Sequence, residues 1–240
     1  MNGGLRLLAA GDTALTAELG DTVDPRINAR VLSLDRALAA EALPGIVETV
    51  PTYRSLQIHF DPDRLDVEAL GRTLEALAAK LDDEPPPGRT WRVPVAYGGE
   101  HGIDLEATAA RIGVSTEEVI AIHLAGDYRV YMIGFQPGFA YLGGLDSRLH
   151  LPRREVPRLK TPAGTISVGG IQAAVASIEA PSGWHLLGRT PVRAFDPVRA
   201  EPLLFGVGDR IRFERISADD YVSLATRVAD EGWLPPREAP

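Results

Sequence analysis

The chain has 240 residues, a formal net charge of -8 and no cysteine. That length holds one large or two small domains. The negative charge argues against nucleic acid as the main partner, and the missing thiols exclude disulfides, thiolate metal sites and a cysteine nucleophile. Hydrophobic residues make up 45% and charged residues 24%, the balance of a soluble globular protein rather than a disordered one. Met1-Asn-Gly-Gly-Leu-Arg6 carries no apolar signal-peptide core, and no apolar run approaches the roughly 18 residues of a membrane span. The expectation is a cytoplasmic protein with no membrane partner.

Leu5 to Ala10 is a short apolar run, Gly11-Asp12 a turn signal, and Ala14 to Leu19 a candidate strand. Asp24-Pro25 reads as an N-cap with proline at the first helical position. Ile27, Val31, Leu34 and Leu38 then lie on one helix face, which ends near Leu43-Pro44-Gly45. Ile46 to Val50 and Tyr53 to Phe60 read as strands. Val67, Leu70, Leu74, Leu77 and Leu81 mark a second amphipathic helix. Asp82-Asp-Glu-Pro-Pro-Pro-Gly88 is the best linker in the chain. Residues 1–85 are therefore expected to be an α+β domain, two helices on a small antiparallel sheet. A split-βαβ arrangement completed by a strand at Thr90 to Val95 fits that order.

The second region, 86–240, begins with a strand at Arg92 to Tyr97 and a helix at Asp104 to Ile112. Ser115 and Glu118 fit a capping box for a helix that Gly126 stops. Short strands punctuated by Gly and Pro run from Tyr128 to Phe213, the pattern of a mainly-β barrel domain. Ser217 to Trp233 reads as a last helix, followed by a frayed proline-rich tail.

Most catalytic signatures are absent. There is no phosphate-binding P-loop, no dinucleotide fingerprint and no nucleophile elbow. The five histidines are far apart in sequence, so no metal site is expected. His123 lies on an apolar helix face, either as a core histidine bonded through one nitrogen or as a proton carrier facing a pocket. Arg153, Arg154 and Arg158 form either a solvated run balanced by Glu155 or a lip that captures a carboxylate or phosphate. Arg189, at a strand end, is open to either role. Phe135 and Phe139 flank Pro137-Gly138, as barrel core or as a turn that a ligand can approach. Gln172 is a polar residue in a small, apolar run and needs a partner if buried. Trp184-His185 reads as packing or pocket wall.

The stretch Gly134-Phe-Gln-Pro-Gly-Phe-Ala-Tyr-Leu142, with Gly144-Leu-Asp146, Pro152-Arg-Arg154, Pro157-Arg158, Pro162-Ala-Gly164, Gly183-Trp184 and Gly188-Arg-Thr-Pro191, resembles the family of the 5-oxoprolinase B subunit. That family includes allophanate hydrolase subunit 1 and KipI-like kinase inhibitors. Gly11-Asp-Thr-Ala-Leu15, Gly45-Ile46, Val50-Pro51 and Tyr53-Arg-Ser-Leu56 extend the resemblance to the N-terminal half. It implies a ferredoxin-like domain followed by a cyclophilin-like barrel. It also implies one component of an ATP-dependent enzyme that opens the lactam of 5-oxoproline to glutamate. That enzyme needs the partner A and C subunits of 5-oxoprolinase, and the chain alone would be inactive. In the family, the B and C subunits are thought to pair their barrels around a shared site. On that resemblance His123 and Arg154 are candidate catalytic residues. Phe135, Pro137, Gly138, Phe139, Arg153, Arg158, Gln172 and Arg189 are candidate substrate-binding residues. Histidine-kinase inhibition and a role in urea or allophanate processing are the alternatives it carries. Thr161 to Ser177 departs from the family pattern: Gln172 is kept, but the Thr-Gly, Tyr and Pro that follow it in relatives are not. A changed substrate is expected to show there.

Overall fold

The structure is a computed structural model and describes residues 4–81 and 88–238. The chain divides into two compact units, Met1–Pro87 and Gly88–Pro240. The linker expected at 82–88 lies, but for Gly88, outside the described residues.

The first unit runs β1 (Arg6–Ala9), β2 (Ala14–Glu18), α1 (Pro25–Glu41), β3 (Ile46–Pro51), β4 (Ser55–Phe60), α2 (Val67–Ala78). Its sheet has the order β1-β2-β4-β3, with antiparallel pairs throughout. Leu15 and Ala17 face Ile58 and Leu56 across the β2–β4 pair. Alternation puts these residues and Phe60 on one face, where Val31, Leu34 and Leu38 of α1 and Leu70 and Leu74 of α2 complete one core. Asp24 caps α1 by accepting from the Arg26 and Ile27 N–H groups at 2.7 and 3.3 Å. Asp66 caps α2 by accepting from Ala69 N–H at 2.8 Å.

The strand expected to complete this sheet is not Thr90 to Val95. The edge beside β2 is filled by β1. Thr90–Tyr97 is β5 of the second unit, where it buries Trp91, Val93 and Val95 in another core and finds backbone partners on both sides.

After β5, the second unit continues with α3 (Leu105–Ile112), α4 (Thr116–Leu124), β6 (Tyr128–Ile133), β7 (Ala140–Gly143), β8 (Arg158–Thr161), β9 (Thr165–Gly169), β10 (Gln172–Val175), β11 (Ala180–Ser182), β12 (His185–Arg189), β13 (Arg210–Arg215), α5 (Ala218–Glu231) and β14 (Arg237–Glu238). The strands β12-β9-β10-β7-β6-β13-β5 follow one another, and a β12–β5 pairing closes them into a seven-strand barrel. The β5–β13 pair is parallel and the other barrel pairs are antiparallel. A barrel this small fills its interior with side chains. Val93, Val95, Val130, Leu142, Ile166, Val168, Ala173, Val175 and Leu187 do so, and Val119 and Ile122 of α4 pack against them. β8 and β11 form a separate two-stranded ribbon.

Two details go beyond the expectations. Ser217 and Asp220 make a reciprocal capping box at the start of α5, whereas at Ser115 the structure gives the single bond from Glu118 N–H. The tail after Trp233 is not frayed within the described residues. Arg237 and Glu238 pair with Trp91 and Thr90, and Arg92 N–H donates to Pro236 O at 3.0 Å. Ala239 and Pro240 lie outside the described residues.

Gly144 follows β7 with φ of 92°, and a Cβ there would sit 2.1 Å from Asp127 O. Gly144→Ala combines backbone strain with a backbone clash. It is expected to destabilise the protein by about 3 kcal/mol, read as a lower urea midpoint in equilibrium unfolding.

Candidate functional site

The loop 98–104 follows β5 and lies along the backbone of β12. Gly98 N–H donates to Leu187 O at 3.1 Å and Asp104 N–H to Leu186 O at 3.0 Å. Gly102 makes that approach possible, since a Cβ there would fall 1.9 Å from Leu187 O. The loop delivers Asp104, 3% exposed, beneath β12. Its carboxylate accepts from Arg158 Nη1 and Nη2 at 2.8 and 2.5 Å, from Arg154 Nη1 at 3.2 Å and from Leu186 N–H at 2.9 Å. Two guanidiniums share one carboxylate, so the cluster keeps a net positive charge. The reading of Arg154 and Arg158 as solvated charge balanced by Glu155 is corrected by this geometry. Their counter-ion is Asp104, about fifty residues upstream. In sequence Asp104 looks only like a helix start.

The segment around Arg153 is pinned on both sides. His185 Nε2 lies 2.9 Å from Pro152 O, so that nitrogen carries the proton and donates. Arg154 N–H donates to Gly183 O at 2.7 Å. Between these anchors the Arg153 guanidinium stands 5.7 Å from the Trp184 ring, a cation–π distance. Among the described residues Arg153 makes no ion pair. The Trp184 ring lies against Gly169, where a Cβ would come within 2.7 Å of it.

From Trp184 a row of rings runs outward. Tyr141 is 5.9 Å from Trp184, Phe139 is 4.7 Å from Tyr141, and Phe135 is 5.7 Å from Phe139. Burial raises the Tyr141 pKa, and the charge of Arg153 works against that shift. Phe135, 65% exposed, holds a left-handed φ of 67° in the turn that Phe139 N–H closes onto Gln136 O. Gly138 sits in the same turn with φ of 74° against Phe195, and Pro137 is exposed at its tip. Gln172 opens β10 opposite Gly169. Ala173 and Val175 point into the barrel, so Gln172 and Ala174 face outward. Ala174 pairs with Tyr141, which sets Gln172 on the same face as the aromatic row.

Arg189 belongs to a different cluster. Its Nε donates to Ala163 O at 2.9 Å, and its guanidinium lies 5.8 Å from the Tyr221 ring, which is 4.3 Å from His101. No group of three or more His, Asp or Glu side chains among the described residues is arranged to hold a metal ion.

Residues 5–205 match the carboxyltransferase domain family, subdomain C and D. A 5-oxoprolinase B subunit from Bacillus subtilis (strain 168) is 37% identical over 88% of this chain and 92% of that protein. One from Escherichia coli O157:H7 is 38% identical over 87% of this chain and 94% of that protein. The chain belongs to the family of 5-oxoprolinase B subunits. The crystal structure of TTHA0988 superposes with a TM-score of 0.76 at 37% identity, over 85% of this chain. This chain spans 40% of that longer one. The urea amidolyase of K. lactis shares the fold, with a TM-score of 0.82 at 20% identity over 98% of this chain and 16% of the amidolyase.

Within this family member, His123 sits apart from the arginine–aromatic face. It is fully buried, its Nδ1 is 2.8 Å from the Tyr97 hydroxyl, and its ring packs on Tyr97, Tyr128 and Phe213. Burial alone lowers its pKa to about 3. A neutral imidazole enclosed by rings packs the core, and these surroundings do not support the proton-moving role. The departing segment Thr161–Ser177 is mostly buried wall. Thr161, Thr165, Ser167, Ala173, Ala174, Ala176 and Ser177 are all buried, and Gln172 is half-buried at its turn.

Asp104→Asn removes the charge two guanidiniums share and is expected to cost about 3 kcal/mol of stability. Arg158→Ala should cost less, because Arg154 and Leu186 N–H still satisfy the carboxylate. Urea unfolding of both variants checks the order.

For His123 the folded pKa lies below the unfolded value, so the unfolded chain takes up the proton first. Its contribution is intact above about pH 6.5 and lost as pH falls toward 3, at about 1.4 kcal/mol per pH unit. The pH dependence of unfolding in His123→Gln should be shallower than wild type across that window.

Proposed function

We propose that this chain is the B subunit of a cytoplasmic, ATP-dependent 5-oxoprolinase that opens 5-oxoproline to glutamate together with the A and C subunits. The observation that carries this reading is the similarity to the 5-oxoprolinase B subunits of two bacteria, at 37–38% identity over nearly their whole length. In the same reading the first unit is ferredoxin-like, with β1 as an N-terminally contributed edge strand. The barrel is cyclophilin-like.

The substrate is a small planar ring bearing a carboxylate. Arg153 is placed to take that carboxylate, because its guanidinium has no acidic partner and is held over Trp184. Tyr141, Phe139 and Phe135 offer ring faces beside it. Gln172, on the same outward face, suits the lactam amide. Arg154 and Arg158 lend the net charge left over from Asp104. Pro137 and Gly138 shape the turn, and Arg189 is assigned to ligand charge only if a partner polypeptide extends the site to it. Lactams are poor electrophiles. ATP supplies a phosphoryl group that turns the amide oxygen into a leaving group, and the arginines stabilise the negative charge that develops. In this reading the site is completed by the C subunit. Exposed Val156 and Leu159 beside the arginines supply apolar surface for that contact.

The chain alone should release no glutamate from 5-oxoproline and ATP. Release should appear when the A and C subunits are added. Absence of release with cognate partners present would sink the reading. In the reconstituted complex, Arg153→Ala should lower kcat/KM by roughly 10–100-fold with the melting temperature unchanged.

A further inference from the structure

A cavity of about 510 Å³ lies on the barrel unit, where the start of β5 meets the 199–204 loop and the C-terminal segment. Three arginines line it, Arg89, Arg199 and Arg237, together with Leu203, Leu234 and Pro235. Leu234, Pro235 and Arg237 lie beyond the segment that matches the family, 5–205. None of the lining residues belongs to the arginine–aromatic row.

The charges there do not cancel. Arg89 is paired with Asp209 at 2.9 Å, and that carboxylate is further spent on Trp91 Nε1 and Gly206 N–H, both at 2.8 Å. Glu201, on the rim and 85% exposed, reaches only 3.8 Å from Arg89. Among the described residues, neither Arg199 nor Arg237 makes an ion pair. Arg199 is fixed by carbonyls instead, donating to Arg193 O at 3.0 Å, Ala194 O at 3.4 Å and Pro202 O at 2.9 Å. Its Nε is buried with no hydrogen-bond partner. Arg237 is set in place by stacking, 5.4 Å from the Trp91 ring, with Arg89 5.1 Å from the same ring. In a chain of net charge -8, this concavity presents two pre-positioned guanidiniums with no carboxylate at ion-pair distance, and the Asp196 carboxylate acts on Arg199 only from further off. Beside them, Leu203 and Leu234 stand 40% and 47% exposed.

A cation held rigid with no carboxylate at ion-pair distance, next to open apolar surface, is complementary to one kind of molecule. We propose that this pocket binds a small organic anion, a phosphate or carboxylate carried on an apolar body. Arg199 and Arg237 take the anionic group, and Leu203, Leu234 and Pro235 take the body. The site is separate from the proposed lactam site, so its occupancy does not depend on that reading.

The test is a titration of the full chain with phenyl phosphate, 3-phenylpropionate and inorganic phosphate. It is followed by calorimetry and by the Trp91 indole N–H resonance, assigned with Trp91→Phe. Saturable binding of at least one organic anion is expected, with the Trp91 signal moving. The phenyl phosphate and phenylpropionate arms decide between phosphate and carboxylate. Arg237→Ala and Leu203→Ser should each weaken that binding at least about tenfold. Leu203→Ser leaves every charge in place, so its loss reports the apolar subsite and cannot be blamed on misfolding of the C-terminal strand. The proposal is overturned if neither organic anion saturates by roughly 10 mM, or if both variants bind like wild type. Equal binding of inorganic phosphate would also overturn it, because that would mean a cationic patch without an apolar subsite.

Discussion

The Asp104 carboxylate organises the outer face of the barrel. It accepts four hydrogen bonds, two from guanidinium nitrogens of Arg158, one from Arg154 and one from the backbone of β12. A buried carboxylate is tolerated only when it is paired and fully bonded. Here the pairing ties a loop after β5, a segment before β8 and a barrel strand to one point. With Arg154 and Arg158 held, the adjoining chain fixes the direction in which Arg153 leaves the surface. The aromatic row is arranged around that direction.

Arginine does two distinct jobs in this unit. Arg154, Arg158 and Arg89 hold buried carboxylates in place, and Arg154 and Arg158 offer a ligand only the charge that Asp104 leaves over. Arg153 and Arg237 each lie over a tryptophan and keep their hydrogen-bonding edge unpaired. Stacking orders a guanidinium without consuming its donors, so the order is available to a ligand without a competing salt bridge. The same side chain is structural or receptive according to whether an acid reaches it. Local sequence does not say which: Arg153 and Arg154 are neighbours with opposite fates.

Much of the fold is legible in the sequence because local rules determine it. The four- and three-residue spacing of Ile27 to Leu38 and of Leu70 to Leu77 marks two helices. Asp24 and Ser115 cap where a side-chain oxygen stands before an apolar stripe. The density of Gly and Pro between Tyr128 and Phe213 marks short strands. What stays hidden depends on contacts between residues far apart in the chain. No periodicity shows that β12 returns to β5, that β1 rather than Thr90–Val95 lies beside β2, or that Asp104 meets Arg158. Of the candidate site, Phe135, Phe139, Arg153 and Gln172 stand out by residue type and do share a face. Tyr141 lies inside the Gly134–Leu142 motif, but its residue type alone attaches no chemistry to it. The role of Trp184 needs Gly169 beneath it, which only the β9–β12 pairing supplies. His123 misleads because an apolar helix face reads the same whether it borders a pocket or a closed core.

The closure of the barrel also bears on how the chain comes together in time. β5 is the first strand of its unit, yet its barrel neighbours are β12 and β13, about ninety residues or more further along. Those pairings close long loops before any contact repays the entropy, which is the mark of a slow-forming topology. The N-terminal unit pairs strands that are close in sequence and holds its own core, so it is complete while the barrel residues are still being added. During synthesis the Val93 and Val95 edge therefore waits unpaired until the segment through Arg215 has emerged. An unpaired strand edge of this kind is a site for aggregation.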